Sequence, residues 1–358
     1  MKKILISTGG SGGHVLPAIA LYEHFNKKFK VYLSTDKRGL RFIDEKSYQY
    51  ELIDVPNIFS NIFKLPINII KFFFSIIKSL IYLKKNKIEI LLSTGGYMSL
   101  PLCLASKILN IKLYLFEPNM VVGRSNKLIV KFSKKVICYQ KEIKGFSKKY
   151  IEKIFLSKPI LRKEIYNIKK NVKSNIEEPI NILILGGSQG AKFFDETMQN
   201  LVISLSKIHK LKVSQQIYDR TKEIEISRLY EENKIENNLF SFDKDLYKKL
   251  GLYDLAITRS GASTISELAY SNVPFIAVPF PLAKDNHQFF NAKYYFDANC
   301  CWLVEQKKFE IEKIVILISD IIKDNRKYYE KKENLVKFSY QNTWNDINQK
   351  LIDLLNEN

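Results

Sequence analysis

A chain of 358 residues, 46% hydrophobic and 26% charged, has room for two well-cored domains. Its 57 Lys and Arg against 37 Asp and Glu leave a formal charge of +20, which favours an anionic partner: nucleic acid, an acidic membrane surface or phosphorylated substrates. The basic residues are spread rather than gathered into a stripe, part of the excess follows from a Lys/Ile/Asn/Tyr-rich composition, and the sequence carries no nucleic-acid fold motif, so nucleic acid is not an expected partner. Cys103, Cys138, Cys300 and Cys301 lack metal-ligand spacing and read as buried thiols of a reducing compartment.

In chain order, Met1-Lys-Lys-Ile-Leu-Ile-Ser starts like an export signal, but glycines arrive too soon for its apolar core, so no export is expected. Residues 4–8 read as a short strand, followed by Gly9-Gly-Ser-Gly-Gly-His14 and a helical run over 15–21. Strand, glycine turn and helix open a doubly wound α/β domain, the glycines allowing positive φ and leaving room for a ligand. His14, the one histidine beside a glycine loop, is the candidate general base, since an imidazole titrates near pH ~6.5. His24 and His209 are assigned to surface helical stretches. A strand at 31–34 leads to Asp36, where a nicotinamide-binding fold would place its ribose acid; Val15 stands where that fingerprint needs its third glycine.

Residues 62–83 are the most apolar window, with Lys64, Lys71 and Lys78 seven apart. Lysines at bilayer depth argue against a span. With Asn68, Ser75 and Tyr82 they are expected to form one narrow polar stripe on a helix that is otherwise apolar. Such a helix either packs on a sheet or presents Phe72, Phe73, Phe74, Ile76 and Ile77 to anionic lipid, with Lys127, Lys131, Lys134 and Lys135 extending a basic ring.

Strands at Ile90–Ser93 and 112–116 follow, and a polar, proline-marked stretch over 157–179 reads as a linker. Ile180–Leu185 then leads into Gly186-Gly-Ser-Gln-Gly-Ala191 and another helix, so the opening unit occurs twice. Strands at 212–216, Leu255–Thr258 and 275–279 alternate with helices, as in parallel sheets covered on both faces. The expected fold is α/β: two Rossmann-like doubly wound domains, 1–160 and 161–339, with an amphipathic helix in 340–358.

Arg259-Ser-Gly-Ala-Ser-Thr264 follows the strand ending at Thr258. A helix is expected to start near Ile265 behind Ser263 and Thr264 as caps, with Glu267 in its first turn. Small residues there let a phosphate reach the exposed N–H groups. Glu267 is either a ribose hook or the acid of a capping box. Gln288 and Asn291, one turn apart, are placed to reach sugar hydroxyls together, and His287 is a weaker catalytic candidate. Asp243-Lys-Asp245 has the Asp-x-Asp form that many transferases use to hold a divalent ion.

Six segments in order, Gly9–His14, Ser93-Thr-Gly-Gly-Tyr-Met-Ser99, Glu117-Pro-Asn119, Gly186–Ala191, 259–267 and His287-Gln288 with Asn291-Ala292, carry a resemblance to glycosyltransferase family 28. Its peptidoglycan members use the two-domain GT-B arrangement. The resemblance implies two domains across a cleft, the first facing acceptor and membrane, with the C-terminal helix returning to it, and the second binding UDP-N-acetylglucosamine. It implies inverting transfer of N-acetylglucosamine to a lipid-linked, undecaprenyl-diphosphate acceptor, with no metal or other cofactor, by a peripheral enzyme at the cytoplasmic face of the inner membrane. Donor-binding positions carried over are Ser11, Gly12, Gly13, Asn119, Arg162, Ser188, Asp243, Ala262, Ser263, Thr264, Ile265, Ser266, Glu267, Gln288 and Asn291, with Asn119 expected towards the acceptor.

The chain departs from the family where Ser157-Lys-Pro159 replaces Gly-Asn-Pro, which weakens the role of Arg162. It departs again where Glu117-Pro-Asn119 replaces Glu-Gln-Asn, and where Gln215-Gln-Ile-Tyr218 replaces His-Gln-Thr-Gly. The competing readings are a sugar-nucleotide epimerase of the same fold, an NAD-dependent oxidoreductase, and a membrane-surface sensor of nucleotide sugars.

Overall fold

The computed structural model describes residues 1–45, 47–55, 65–187, 192–243 and 245–357. The chain divides into two compact units, 1–166 with 343–358, and 167–342. The first is a parallel sheet of β1 (Lys3–Ser7), β2 (Lys30–Thr35), β3 (Tyr50–Leu52), β4 (Ile90–Ser93), β5 (Lys112–Glu117), β6 (Lys135–Cys138) and β7 (Ile154–Leu156). Its spatial order is β3-β2-β1-β4-β5-β6-β7. Connecting helices are α1 (Gly12–Phe25), the short α2 (Lys37–Leu40), α3 (Leu65–Lys85), α4 (Leu100–Ile108) and α5 (Arg124–Ile129). Apolar side chains fill both faces, those of α1 on one and those of α3 and α4 on the other.

The second unit repeats the plan with β8 (Ile180–Leu185), β9 (Leu211–Gln216), β10 (Glu236–Phe240), β11 (Leu255–Thr258), β12 (Phe275–Ala277) and β13 (Cys301–Leu303). All its strand pairs are parallel, in the order β10-β9-β8-β11-β12-β13. Its helices are α6 (Lys192–Ser206), α7 (Glu223–Glu232), the short α8 (Leu246–Lys249), α9 (Ala262–Tyr270), α10 (His287–Asp297), α11 (Ile311–Lys323) and α12 (Asn325–Phe338). In each unit the connections wind outward in both directions from one point, between β1 and β4 and between β8 and β11. Crevices at the carboxyl ends of such strands are where doubly wound sheets take ligands.

The expected linker is only partly one. Residues beyond Tyr166 pack on the second unit: Asn171 donates its N–H to Ser271 O at 2.9 Å and its amide to Tyr253 O at 2.6 Å, and Lys173 pairs with buried Asp254 at 2.7 Å. The last helix, α13 (Trp344–Asn356), belongs to the first unit and packs on α1 through Ile347, Leu351 and Leu355. Thr343 caps it, accepting the Asp346 N–H at 3.2 Å.

The assignment of His24 and His209 to the surface is wrong. His209 is buried between Glu178, 3.0 Å from Nδ1, and Ser319. His24, 1% exposed, stacks on Trp344 with centroids 3.8 Å apart, and Tyr166 meets both rings edge-on. A helical pattern cannot show that a second helix from far along the chain covers that face. Burial pushes the His24 pKa down to about 3, with the nearby Asn348 side chain opposing the shift. The unfolded chain therefore takes up a proton that the folded chain refuses, and stability present above pH ~6.5 is lost as pH falls towards about 3. His24→Phe keeps a stacking ring and removes this titration. Denaturant unfolding of both proteins from about pH 6 to about pH 4 should show the variant losing stability less steeply, by up to about 1.4 kcal/mol per pH unit. Equal slopes would mean that another group governs the acid limb.

Candidate active site

In the first unit the loop after β1 runs from Thr8 to Ser11. Gly10 takes φ +83°, and a Cβ at Gly9 would lie 2.8 Å from Asp36 Oδ1. Both glycines are therefore obligatory. Gly10 N–H donates to Asp36 Oδ1 at 2.7 Å, and Gly39 N–H to the same oxygen at 3.0 Å. Asp36 is thus committed to the protein's own backbone, not held out for a ribose as the oxidoreductase reading needs. Ser11 is the N-cap residue of α1 but makes no side-chain cap bond to the first-turn N–H groups.

His14 stands in that first turn. Its Nδ1 lies 2.9 Å from Thr94 O, on the loop after β4. A carbonyl only accepts, so Nδ1 carries the hydrogen and the lone pair is on Nε2, the tautomer a base requires. Gly95 and Gly96 stand at φ +85° and +83°; a Cβ on Gly96 would sit 3.5 Å from His14 Cδ2, and one on Gly95 would meet the Asn126 side chain.

Beyond β5, Glu117 is 2% exposed. It accepts Asn119 N–H at 3.2 Å and the Asn119 amide at 3.0 Å on one oxygen, and Gly123 N–H at 2.7 Å and the Asn126 amide at 3.0 Å on the other. Burial raises its pKa, and these donors oppose the rise. Asn119 is thereby fixed by a carboxylate two residues away, despite the proline between them. Arg162 belongs to this first unit, near Glu23.

In the second unit the loop after β8 places Gly187 at φ +81°, its N–H donating to Gln216 Oε1 at 3.1 Å. Ser188 lies outside the described residues. Gln216 also donates to Ser241 O, Gln215 accepts the Tyr230 hydroxyl at 2.6 Å, and buried Asp195 receives the N–H groups of Tyr218 and Asp219. The stretch that departs from the family pattern is therefore an internally braced one. The braces Asp36, Gln216, Glu117 and Asp195 were missed by sequence reasoning; the only signal was an acceptor side chain at or just beyond a strand end, or in a helix's first turn.

The loop after β11 corrects three expectations. α9 begins at Ala262 behind Gly261, with no side-chain cap, so Ser263 and Thr264 lie inside its first turn and Glu267 in its second. Glycine at the N-cap leaves the N–H groups of Ala262, Ser263 and Thr264 without a side-chain acceptor, as anion binding requires. Ile265 and Ser266 are buried, Ser266 against the Tyr295 hydroxyl at 3.1 Å, so only their backbone is available to a ligand. Asn291, 1% exposed, donates its amide to Ser260 O at 3.1 Å, while Gln288 Oε1 accepts Ser260 N–H at 3.2 Å and Phe280 N–H at 2.9 Å. Asn291 is thus a brace of the loop, and Gln288 keeps its amide hydrogens for other acceptors.

Arg259 turns inward. It donates to Val278 O, Pro279 O and Gln306 among three phenylalanine rings, and burial lowers its pKa to about 10. His287 Nδ1 lies 2.9 Å from Lys284 O. Asp243 accepts Asp245 N–H and pairs with Lys249 at 3.2 Å, and Asp245 pairs with Lys248 at 2.8 Å, so both carboxylates of the Asp-x-Asp are engaged with cations. Among the described residues no three His, Cys, Asp or Glu side chains gather as metal ligands.

Residues 4–138 match the glycosyltransferase family 28 N-terminal domain and residues 181–349 its C-terminal domain. The chain is 45% identical over 357 residues, all of this chain and 99% of the relative, to the UDP-N-acetylglucosamine–N-acetylmuramyl-(pentapeptide) pyrophosphoryl-undecaprenol N-acetylglucosamine transferase of Pelagibacter ubique (strain HTCC1062). It is 32% identical to the protein of the same name from Wolbachia pipientis wMel, over 90% of this chain and 91% of that one. Among solved structures, MurG of Acinetobacter baumannii superposes with a TM-score of 0.75 at 24% identity, covering 99% of each chain. A UDP-N-acetylglucosamine 2-epimerase superposes with a TM-score of 0.65 at 11% identity, over 99% of this chain and 96% of that one.

Proposed function

Since the chain belongs to glycosyltransferase family 28, we propose that it transfers N-acetylglucosamine from UDP-N-acetylglucosamine to the 4-hydroxyl of undecaprenyl-diphospho-N-acetylmuramoyl-pentapeptide, in peptidoglycan synthesis. The observation that carries this reading is the 45% identity along the whole chain to a transferase of that name. The epimerase likeness, at 11% identity, speaks for the fold alone.

The second unit takes the donor. The uncapped first turn of α9 receives the diphosphate, Glu267 the ribose hydroxyls, and the Gln288 amide the sugar, with Asn291 holding the loop beneath. The first unit takes the acceptor, with Asn119 beside it. His14 Nε2 accepts the hydroxyl proton as the oxygen attacks the anomeric carbon. The bond to UDP breaks on the opposite face, and the product is the inverted β-linkage. Helix N-termini meet the charge developing on UDP, so no metal ion is needed.

The acceptor's lipid implies a surface to hold it, and α3 supplies one. The polar residues expected in its solvated stripe divide. Lys71 and Lys78 are exposed, whereas Asn68 and Ser75 are buried and Tyr82 is half-buried; Ser79, outside the expected stripe, is buried as well. Ser75 and Ser79 donate their hydroxyls to Lys71 O and Ser75 O within the helix, so small satisfied side chains face the unit. Phe72 is half-buried against Tyr97 and Ile76 is half-buried as well, which removes both from the exposed patch. The outward arc is apolar: Ile70, Phe73, Phe74, Ile77 and Ile81 are 48–63% exposed. Lys64 lies outside the described residues. A helix long and apolar enough to cross a bilayer, yet docked along one face, suits lying in the interface at the cytoplasmic face of the membrane.

Four outcomes follow for the purified protein. Glu267→Ala should weaken donor binding tenfold or more, roughly the 1.5–3 kcal/mol of a charged hydrogen bond. His14→Ala should leave donor binding intact and lower transfer by roughly 10²–10⁴. Titration with the donor and single-turnover transfer separate the two, and a His14 variant that transfers normally puts the base elsewhere. Excess chelator should leave turnover unchanged, and Asp243→Asn with Asp245→Asn should retain most of it; activity that chelation abolishes and magnesium restores would refute the metal-free step. Serine at Phe73, Phe74, Ile77 and Ile81 should release the protein from anionic vesicles while preserving turnover on a short-chain soluble acceptor. Vesicle binding that survives those substitutions would exclude α3 as the docking face.

A further inference from the structure

The reaction joins two substrates that each carry a diphosphate. The α9 turn accounts for the donor's, which leaves the acceptor's without a cation. The turn after β2 holds one. Arg38 donates Nε to Asp36 Oδ2 at 2.8 Å; the arginine side chain is 67% exposed, the aspartate 2%. The buried carboxylate thus anchors the guanidinium at one edge and leaves the Nη groups facing solvent. They lie beside the glycine loop: a Cβ placed on Gly10 would be 3.7 Å from Arg38 Nη2. The next turn adds a second cation, since Arg41 stacks over the Phe42 ring at 4.6 Å and that ring lies 3.2 Å from where a Cβ on Gly12 would stand.

The second unit supplies an internal control. There the corresponding brace is neutral: Gln216 receives Gly187 N–H as Asp36 receives Gly10 N–H, and among the described residues no arginine bonds to the Gln216 side chain. An amide is enough to hold such a loop. A carboxylate beside an anion-binding loop would be a poor choice unless it also aims a guanidinium. The first unit also carries the apolar face suited to the lipid: Phe72 of α3 packs on Tyr97, and a Cβ placed on the neighbouring Gly96 would lie 3.5 Å from His14 Cδ2 and 3.7 Å from Gly9 O. A diphosphate attached directly to the lipid belongs at that end of the unit.

We propose that Arg38, aimed by Asp36 beside Gly10, is a binding residue for the diphosphate of the lipid-linked acceptor. This rests on the reading that the first unit takes the acceptor. The Asp36–Arg38 pair has no net charge, so its contribution is short-ranged and depends on the fork of N–H groups more than on long-range attraction.

Steady-state kinetics with a short-prenyl diphosphate acceptor test it. Arg38→Ala should raise the acceptor KM about tenfold, with kcat and the KM for UDP-N-acetylglucosamine within about twofold of the parent, as for loss of uniform binding to one substrate. Arg38→Lys should recover only part of the loss. An unchanged acceptor KM, or a donor KM that rises instead, overturns the assignment. Equal loss in both substrates with a lowered unfolding midpoint would make the pair merely structural and overturns it too. Should the unsubstituted protein fail to turn over the acceptor at all, the functional reading falls first, and this inference with it.

Discussion

Everything placed at the two ligand-facing edges depends on one kind of interaction: a side-chain acceptor from a strand end holding the N–H of a strained glycine. Gly10 and Gly187 each stand at positive φ, where the chain would otherwise wander, and Asp36 and Gln216 each take up one hydrogen bond that stops it. The bonds fix where each following helix begins, and so where its first-turn N–H groups point. Glu117 does the same with four donors at once. These acceptors hold the protein's own backbone and side chains, and positioning of that kind is what transfer between two bound substrates requires.

The first unit treats one of its helices in reverse. An ordinary amphipathic helix hides its large apolar residues; α3 hides Leu83 together with an asparagine and two serines, and shows phenylalanines and isoleucines. The buried serines are tolerable because both hydroxyls are satisfied inside the helix. The outward apolar arc is costly in water, and exposed apolar patches of this kind mark surfaces that meet a partner.

Much of this was legible in the amino-acid order. Strands β1, β2, β4, β5, β8, β9, β11 and β12 were, most plainly β1, β4 and β8, because a strand buried on both faces reads as an uninterrupted apolar run. The edge strands β3, β7, β10 and β13 and the interior strand β6 were not, since segments as short as Tyr50-Glu51-Leu52 or Cys301-Trp302-Leu303 are too brief to be distinguished from a loop. The glycine loops and His14 were visible as spacing. The direction of each polar side chain was not: Asn291 and Gln288 share a helix face, yet one is spent on the Ser260 carbonyl and the other keeps donors in hand. On α3, periodicity identified the stripe but could not say which edge of it faced inward, because serine and lysine count alike as polar.

The nesting of one unit inside the other has a consequence for how the chain acquires its fold. The first unit is interrupted at Tyr166 and completed only by α13, which covers His24 and lays Leu351 and Leu355 against α1. On a ribosome adding about 5–20 residues per second, the intervening unit emerges for roughly ten seconds or more before α13 exists. Throughout that interval the α1 face is bare and α3 already shows its apolar arc. The half-made protein is therefore at its stickiest before release, when a nascent chain near a membrane has lipid as well as its own missing helix to settle against.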